Sequence, residues 1–185
     1  RQGYDVLVVD RTTFPRDTVS THLVHPVGVA ALERWGLLDE VVASGCPPIE
    51  RYSFDFGPIR IEGSPGTAES PVAYCPRRTV LDKVLVEGAA AAGAEVREGF
   101  GVERLVEEDG RVVGICGGSH GEDPVTERAR VVIGADGLKS FVARSVGAPV
   151  YDERPHLLCG YYSYWSDLPC ERFEVYDRGD RGFAV

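Results

Sequence analysis

Three stretches carry side chains whose type and position suit chemistry with a charged nucleotide. Asp10 closes the apolar run DVLVV at 5–9. A carboxylate at the carboxyl end of a buried strand can accept two hydroxyl donors at once, which is how dinucleotide folds hold an adenosine ribose. The same position also suits a plain solvated acid at a strand end. Asp136–Gly137 lies in VVIGADGLKSFVAR, where a strand runs through Asp-Gly into a helix. Glycine lets backbone approach a phosphate closely, and a helix N-terminus offers unpaired N–H groups. An ordinary strand–turn–helix junction with Asp136 near the cap fits these residues equally. Arg78 stands directly before a helix carrying Leu81 and Asp82. There a guanidinium either grips a pyrophosphate bidentately or stays a surface cation.

These residues need a scaffold, and the pattern supplies one. Asp5–Val9 is short, continuous and β-branched, as a strand buried on both faces of a parallel sheet would be. From Pro26, residues Val29, Leu32, Leu37, Leu38 and Val41 form a helical apolar stripe that Gly36 interrupts and Gly45 with Pro47–Pro48 stops. Tyr52–Ile61 alternates like a half-exposed strand, broken at Gly57–Pro58 into a hairpin-like pair. A strand near 72–76 precedes the helix TVLDKVLVEGAAAAG, which Gly93 stops, and Val96 begins another strand. Residues 101–105 and 111–115 flank the turn signal Asp109–Gly110. RVVIGA at 130–135 reads as a buried strand and 139–146 as a helix, so that Asp10 and Asp136 are expected at the ends of neighbouring parallel strands. The tail is aromatic-rich, with 157–165 and 173–176 expected as antiparallel strands.

Composition narrows the function. The 185 residues are 43% apolar and 26% charged, an ordinary globular balance. Twenty Lys plus Arg against 29 Asp plus Glu give a net charge of −9, which argues against nonspecific binding to nucleic acid or anionic lipid. No apolar run approaches the roughly 18–20 residues of a membrane helix, and the start has no secretory pattern. The five cysteines are scattered and never in a CxxC pair, so neither a zinc cage nor a disulfide framework is expected, and reduced thiols in a cytoplasm are the simplest reading. No metal site is expected.

Taken together, VVDR at 8–11, RRTVLDKVLVEGAAAAGAEV at 77–96 and VVIGADGLKSFVAR at 131–144 resemble the FAD-dependent monooxygenases of the para-hydroxybenzoate hydroxylase group, whose skeleton geranylgeranyl reductases and flavin halogenases share. Asp136, Gly137, Ser140 and Arg144 carry the most specific part of this likeness, and Arg78, Leu81 and Asp82 the next. The resemblance implies FAD as cofactor and NAD(P)H as reductant. Asp10 would then bind the adenosine ribose, Arg11 would lie over adenine or stay a solvated charge, and Val102 would pair its backbone with adenine. Arg78 would contact the phosphates or ribityl chain, and Asp136 with Gly137 would support the pyrophosphate region. Thr21–His22 could approach the flavin ring, although His22 and His25 also read as loop histidines without chemistry. No catalytic side chain is named. The family's GxGxxG loop and its second flavin motif are missing, and the first is expected to lie outside this sequence.

The fold expected is α/β: a Rossmann-like, three-layer FAD/NAD(P)-binding domain with an antiparallel β-sheet substrate domain, both incomplete. Expected boundaries are 1–51 for the FAD-binding domain, 52–76 for a β-hairpin insertion of the substrate domain, 77–153 for the FAD-binding domain continued, and 154–185 for the start of the antiparallel domain. The activity implied is an NAD(P)H-dependent monooxygenase acting on an organic small molecule, aromatic or polyketide-like. The alternatives are a flavin-dependent reductase of prenyl double bonds and a noncatalytic, truncated nucleotide-binding module.

Overall fold

The computed structural model describes residues 3–155, 159–168, 171–179 and 182–185. In chain order the elements are β1 (Leu7–Val9), α1 (Pro26–Trp35), α2 (Leu38–Ala43), β2 (Pro48–Ile49), β3 (Tyr52–Asp55), β4 (Arg60–Gly63), β5 (Ala73–Tyr74) and α3 (Arg78–Ala91). Then follow β6 (Glu95–Arg97), β7 (Phe100–Glu108), β8 (Arg111–Ser119), β9 (Val125–Arg128), α4 (Phe141–Ser145), β10 (Phe173–Arg178) and β11 (Gly182–Ala184). The class is mixed α/β, as expected, and the chain divides into two compact units, each described by itself.

The first unit is built from Phe14–Ala94 and Trp165–Val185. Its core forms where the apolar stripes of three helices meet: Leu32 of α1, Val41 of α2 and Val84 of α3 are buried, with Leu37, Leu38, Val80, Leu81 and Leu85 packed around them. Gly36 ends α1 in the left-handed conformation at φ 73°, which separates α1 from α2. In α3, Gly88 lies against Leu37, whose side chain a Cβ there would meet at 2.6 Å.

A four-stranded sheet in the order β11-β10-β3-β4 completes this unit. β10 pairs with β3 in parallel, Phe173 opposite Tyr52, and with β11 in antiparallel fashion. The antiparallel expectation for 173–176 is therefore corrected on one of its two edges. The expected strand at 157–165 has no regular structure among its described residues, 159–165, and its first two residues lie outside the described set. Along β3 the two faces differ sharply. Tyr52 packs on Phe173 with ring centroids 5.1 Å apart and on Phe54 at 6.2 Å. On the other face Asp55 meets Arg60 at 2.8 Å and Arg178 at 3.0 Å, and it accepts the Gly57 N–H at 2.8 Å. These donors, Arg60 first, draw the Asp55 carboxyl down to about 2.

The second unit is built from Asp5–Thr13 and Glu95–Tyr164. β1 and β6 form a two-stranded parallel sheet, with Leu7, Val8 and Val9 opposite Glu95, Val96 and Arg97. β7, β8 and β9 form an antiparallel meander around buried Phe100 and Cys116. Asp109 and Gly110 both take positive φ, 51° and 74°, as the expected two-residue hairpin requires. Two glycines of β8 are held by closeness: a Cβ on Gly117 would stand 2.0 Å from the Gly101 carbonyl oxygen, and one on Gly114 would stand 2.2 Å from that of Glu127.

Two expectations fail here. β1 is not buried on both faces, since Val6 and Val8 are 46% and 37% exposed and β6 is its one strand neighbour among the described residues. The segment 131–135 forms no strand: no ladder reaches it, and Val131 and Ile133 are 72% and 83% exposed. Apolar β-branched residues favour extended backbone, but without a neighbour to bond they make no sheet.

Two outcomes test this architecture. Leu32→Ala is expected to lower stability by about 2–5 kcal/mol, read as an earlier urea midpoint, and an unmoved midpoint would contradict the three-helix core. The Asp55 carboxyl is lower in the folded state than the roughly 3.9 of a free Asp. Its contribution is therefore present above that value and lost as pH falls through about 2. Asp55→Asn is expected to unfold more easily than the parent protein at pH 7, with the difference closing between about pH 4 and pH 2.

Candidate functional site

The side chain at the end of β1 is placed by main-chain bonds before any ligand is considered. Glu95 N–H donates to Val6 O at 2.9 Å, and Asp10 N–H to Arg97 O at 3.0 Å. The chain then turns, and Asp10 O accepts from Phe100 N at 2.9 Å while Thr12 O accepts from Gly99 N at 3.0 Å. Positive φ at Gly99, 68°, makes that turn available. The half-buried Asp10 carboxylate is oriented in turn by Thr12, whose N–H and hydroxyl both reach Oδ1, at 2.8 and 2.7 Å. Oδ2 takes no hydrogen bond among the described residues. One oxygen is thus fixed and the other is left to accept from a hydroxyl.

Arg11 is exposed beside it. Val102 stands two residues after Phe100, on β7, the edge strand of its sheet, opposite Gly117 and just before a register shift at Glu103. The Asp10–Phe100 main-chain bond sets Asp10 and Arg11 at the start of β7, two residues before Val102. This donor and acceptor set fits the adenosine half of FAD: a carboxylate for a ribose diol, a strand edge for a base, and a cation beside them.

The remaining expected residues are placed differently. Asp136 does not follow a strand, and its carboxylate is occupied. Oδ1 accepts the Ser140 hydroxyl at 2.5 Å, and Oδ2 accepts the amides of Phe141 and Val142 at 2.6 and 3.1 Å. Ser140 Oγ in turn accepts the Ala143 amide at 2.9 Å, so the two residues together cap α4. The Ser140 hydroxyl and these amides hold the Asp136 carboxyl below its ordinary value. Gly137 has φ 83°, which the turn into α4 needs. Arg78 belongs to the first unit, where it grips Asp82 one helical turn on, Nε to Oδ1 at 2.6 Å and Nη2 to Oδ2 at 2.8 Å. Asp82 is 9% exposed, so this pair anchors α3, and the bond raises the Arg78 guanidinium. Nη1 of Arg78 makes no bond among the described residues.

Sequence reasoning missed a pairing in the first unit. His25, the extended residue before α1, brings Nδ1 to 3.0 Å from the Tyr52 hydroxyl, with the rings edge to face at 6.0 Å. The two lie 27 residues apart and no local pattern links them. His22 holds a left-handed backbone at φ 59° and donates its N–H to Ser20 Oγ at 3.1 Å.

A cleft of about 320 Å³ opens in the second unit beside Arg97 and Phe100, but Glu98, Glu122 and Asp123 line it. Arg97 is already engaged by Glu95 at 2.7 Å and Glu127 at 2.6 Å, so carboxylates dominate and a phosphate would be repelled. Among the described residues no group of His, Cys, Asp or Glu is arranged to hold a metal ion.

Residues 1–167 match the family described as FAD binding domain. The chain belongs to that family. It is 42% identical over 173 residues to digeranylgeranylglycerophospholipid reductase 1 of Methanopyrus kandleri, an alignment covering 89% of this chain and 42% of the reductase. In solved structures it resembles the flavin-dependent halogenase CmlS, with a TM-score of 0.67 and 26% identity over 78% of this chain and 27% of the other. It also resembles PqsL, a probable FAD-dependent monooxygenase of Pseudomonas aeruginosa, with a TM-score of 0.67 over 84% of this chain and 42% of the other; at 22% identity this likeness speaks for the fold alone. The chain spans about two fifths of the length of the curated relatives it matches, 36% and 42% for the first two. No helix among the described residues is long and apolar enough to cross a membrane.

The occupied carboxylate makes a test. Asp136→Ala is expected to speed hydrogen exchange at the amides of Phe141 and Val142, which lose their acceptor. Unchanged exchange there would mean that Asp136 does not hold α4.

Proposed function

We propose that the protein of which this chain is part is an FAD-dependent oxidoreductase, a monooxygenase reduced by NAD(P)H and acting on an apolar organic substrate. The observation that carries FAD is the Asp10 carboxylate, tied by Thr12 through one oxygen and open at the other, in a chain that belongs to an FAD binding domain family. Asp10 would accept from the ribose hydroxyls, the edge of β7 at Val102 would meet the base, and Arg11 would lie beside it. FAD, when bound, supplies the redox chemistry; the side chains supply position and a fixed field. Support for an apolar substrate comes from the aromatic face of Tyr52, Phe54 and Phe173, which offers contact area to a flat, weakly polar molecule.

A second reading, a reductase of prenyl double bonds, is favoured by the 42% identity to digeranylgeranylglycerophospholipid reductase 1 of Methanopyrus kandleri. The same apolar face would offer contact area to that substrate class as well. Oxygen separates the two. With the full-length holoprotein, a monooxygenase is expected to consume oxygen together with NAD(P)H when substrate is present. A reductase would saturate a prenyl chain anaerobically with no oxygen uptake.

For the cofactor itself, Asp10→Ala in the full-length protein is expected to weaken FAD binding by about 1.5–3 kcal/mol, the worth of a charged hydrogen bond. That corresponds to a rise in Kd of about 13- to 160-fold, measured by titrating the apoprotein with FAD and following flavin fluorescence. An unaltered Kd would remove Asp10 from the site.

A further inference from the structure

Thr12 stands two residues past Asp10, and its carbonyl, amide and hydroxyl are all engaged. The carbonyl oxygen accepts the Gly99 N–H at 3.0 Å, while the N–H and the hydroxyl both donate to Asp10 Oδ1, at 2.8 and 2.7 Å. The Asp10 main chain is fixed by the same turn: its N–H donates to Arg97 O at 3.0 Å, and its carbonyl accepts from Phe100 N at 2.9 Å. Those bonds settle the backbone and leave one freedom open. A carboxylate turns about its last side-chain bond in a broad, roughly two-fold well, so neither oxygen of an unbonded aspartate has a fixed place. Thr12 removes that freedom. Its β-branched side chain is stiff about χ1, so the hydroxyl is offered in one direction, to the oxygen that its own N–H already holds. The one hydroxyl proton goes to Oδ1, which leaves none to donate to a ligand.

We propose that Thr12 is a positioning residue for FAD: by occupying Oδ1 it aims Oδ2 of Asp10 at the hydroxyls of the adenosine ribose. The inference rests on the reading of Asp10 as the ribose acceptor, and it adds the residue through which that carboxylate is set before the cofactor arrives.

Two effects of the Thr12 hydroxyl oppose each other. It takes up acceptor capacity that a ribose would otherwise find on Asp10, and it orients the capacity that remains. A carboxylate has about four lone-pair sites, shared equally between its oxygens. The two donors of Thr12 fill Oδ1 and leave Oδ2 whole, which matches the two hydroxyls of a ribose diol. Occupation therefore takes nothing the cofactor needs. Orientation is a gain, because a group already held in its bound geometry loses no rotational freedom when the ligand binds. Orientation wins, so removing the hydroxyl weakens FAD binding even though it frees an acceptor.

The full-length protein, stripped of FAD, would be titrated with FAD and the Kd read from flavin fluorescence. Thr12→Val keeps the shape and the backbone N–H and loses only the hydroxyl. Its Kd is expected to rise about two- to thirteen-fold, the worth of one hydrogen bond. Thr12→Ser keeps the hydroxyl and is expected to restore most of the affinity. Coupling separates positioning from a merely structural role. In the Asp10→Ala background, Thr12→Val is expected to leave the Kd where Asp10→Ala put it, because no carboxylate remains to orient. An equal loss in both backgrounds would overturn the proposal, as would an unchanged or lower Kd in Thr12→Val alone. Should Asp10→Ala itself leave the Kd unaltered, the ribose reading of Asp10 falls and this inference with it. Should Asp10→Ala weaken binding while Thr12→Val does not, only the role of Thr12 falls.

Discussion

The seam between the end of β1 and the turn from β6 into β7 is the constraint on which the candidate site depends. β1 and β6 share a ladder of three residue pairs, too short to fix a side chain by itself. Main-chain bonds beyond the ladder extend the seam: Asp10 N to Arg97 O, Phe100 N to Asp10 O, and Gly99 N to Thr12 O. They commit the backbone on both sides of the Asp10 side chain, and Thr12 then settles its carboxylate. A parallel pair cannot close with a tight turn and needs a long crossover. Here the crossover from β1 to β6 runs through residues assigned to the first unit, so the position of Asp10 relative to β7 is a property of the whole chain rather than of its local sequence.

Local signals were legible wherever local energetics decide. Asp109–Gly110 needed positive φ and took it; Gly36 and Gly93 stopped helices because they alone reach the left-handed region without strain. The stripe Leu81, Val84 and Leu85 specified the buried face of α3. What failed depended on neighbours. Residues 131–135 have every strand-forming residue type, yet sheet formation is pairing, and no ladder is there. β9, VTER, was not expected at all: it is short, polar and mostly exposed, and the edge of β8 rather than its own sequence makes it a strand.

The four-stranded sheet shows the same division at longer range. Alternation in Tyr52–Ile61 announced a strand with unlike faces and a break at Gly57–Pro58. It could not announce that Phe173–Arg178 would align alongside β3 in parallel, more than a hundred residues later. The alignment is intelligible once seen. With Phe173 opposite Tyr52 the aromatic rings share one face, while Glu174 and Tyr176 fall beside Ser53 and Asp55 on the other. There Arg172 bridges Glu62 and Glu174, and Arg178 joins Arg60 on Asp55. A slip by one residue would place the Phe173 ring among carboxylates and Glu174 against the rings of Tyr52 and Phe54, so side-chain chemistry on both faces selects the register.

The two aspartates that looked alike in the sequence end in different chemistry, and acceptor capacity explains the difference. A carboxylate offers about four lone-pair sites. On Asp136 a hydroxyl and two amides compete for both oxygens, and all three belong to the helix that follows. A diol arriving there would have to displace bonds that hold α4 in place, and the gain would be offset by the cap it breaks. On Asp10 the two internal donors come from one residue and converge on Oδ1, which leaves Oδ2 able to accept without dismantling anything. Both sit beside turns, and Asp-Gly is the stronger sequence signal of the two. Its strength reflects the turn and the cap, which any helix start can use, whereas the weaker signal at Asp10 belongs to the carboxylate with capacity to spare.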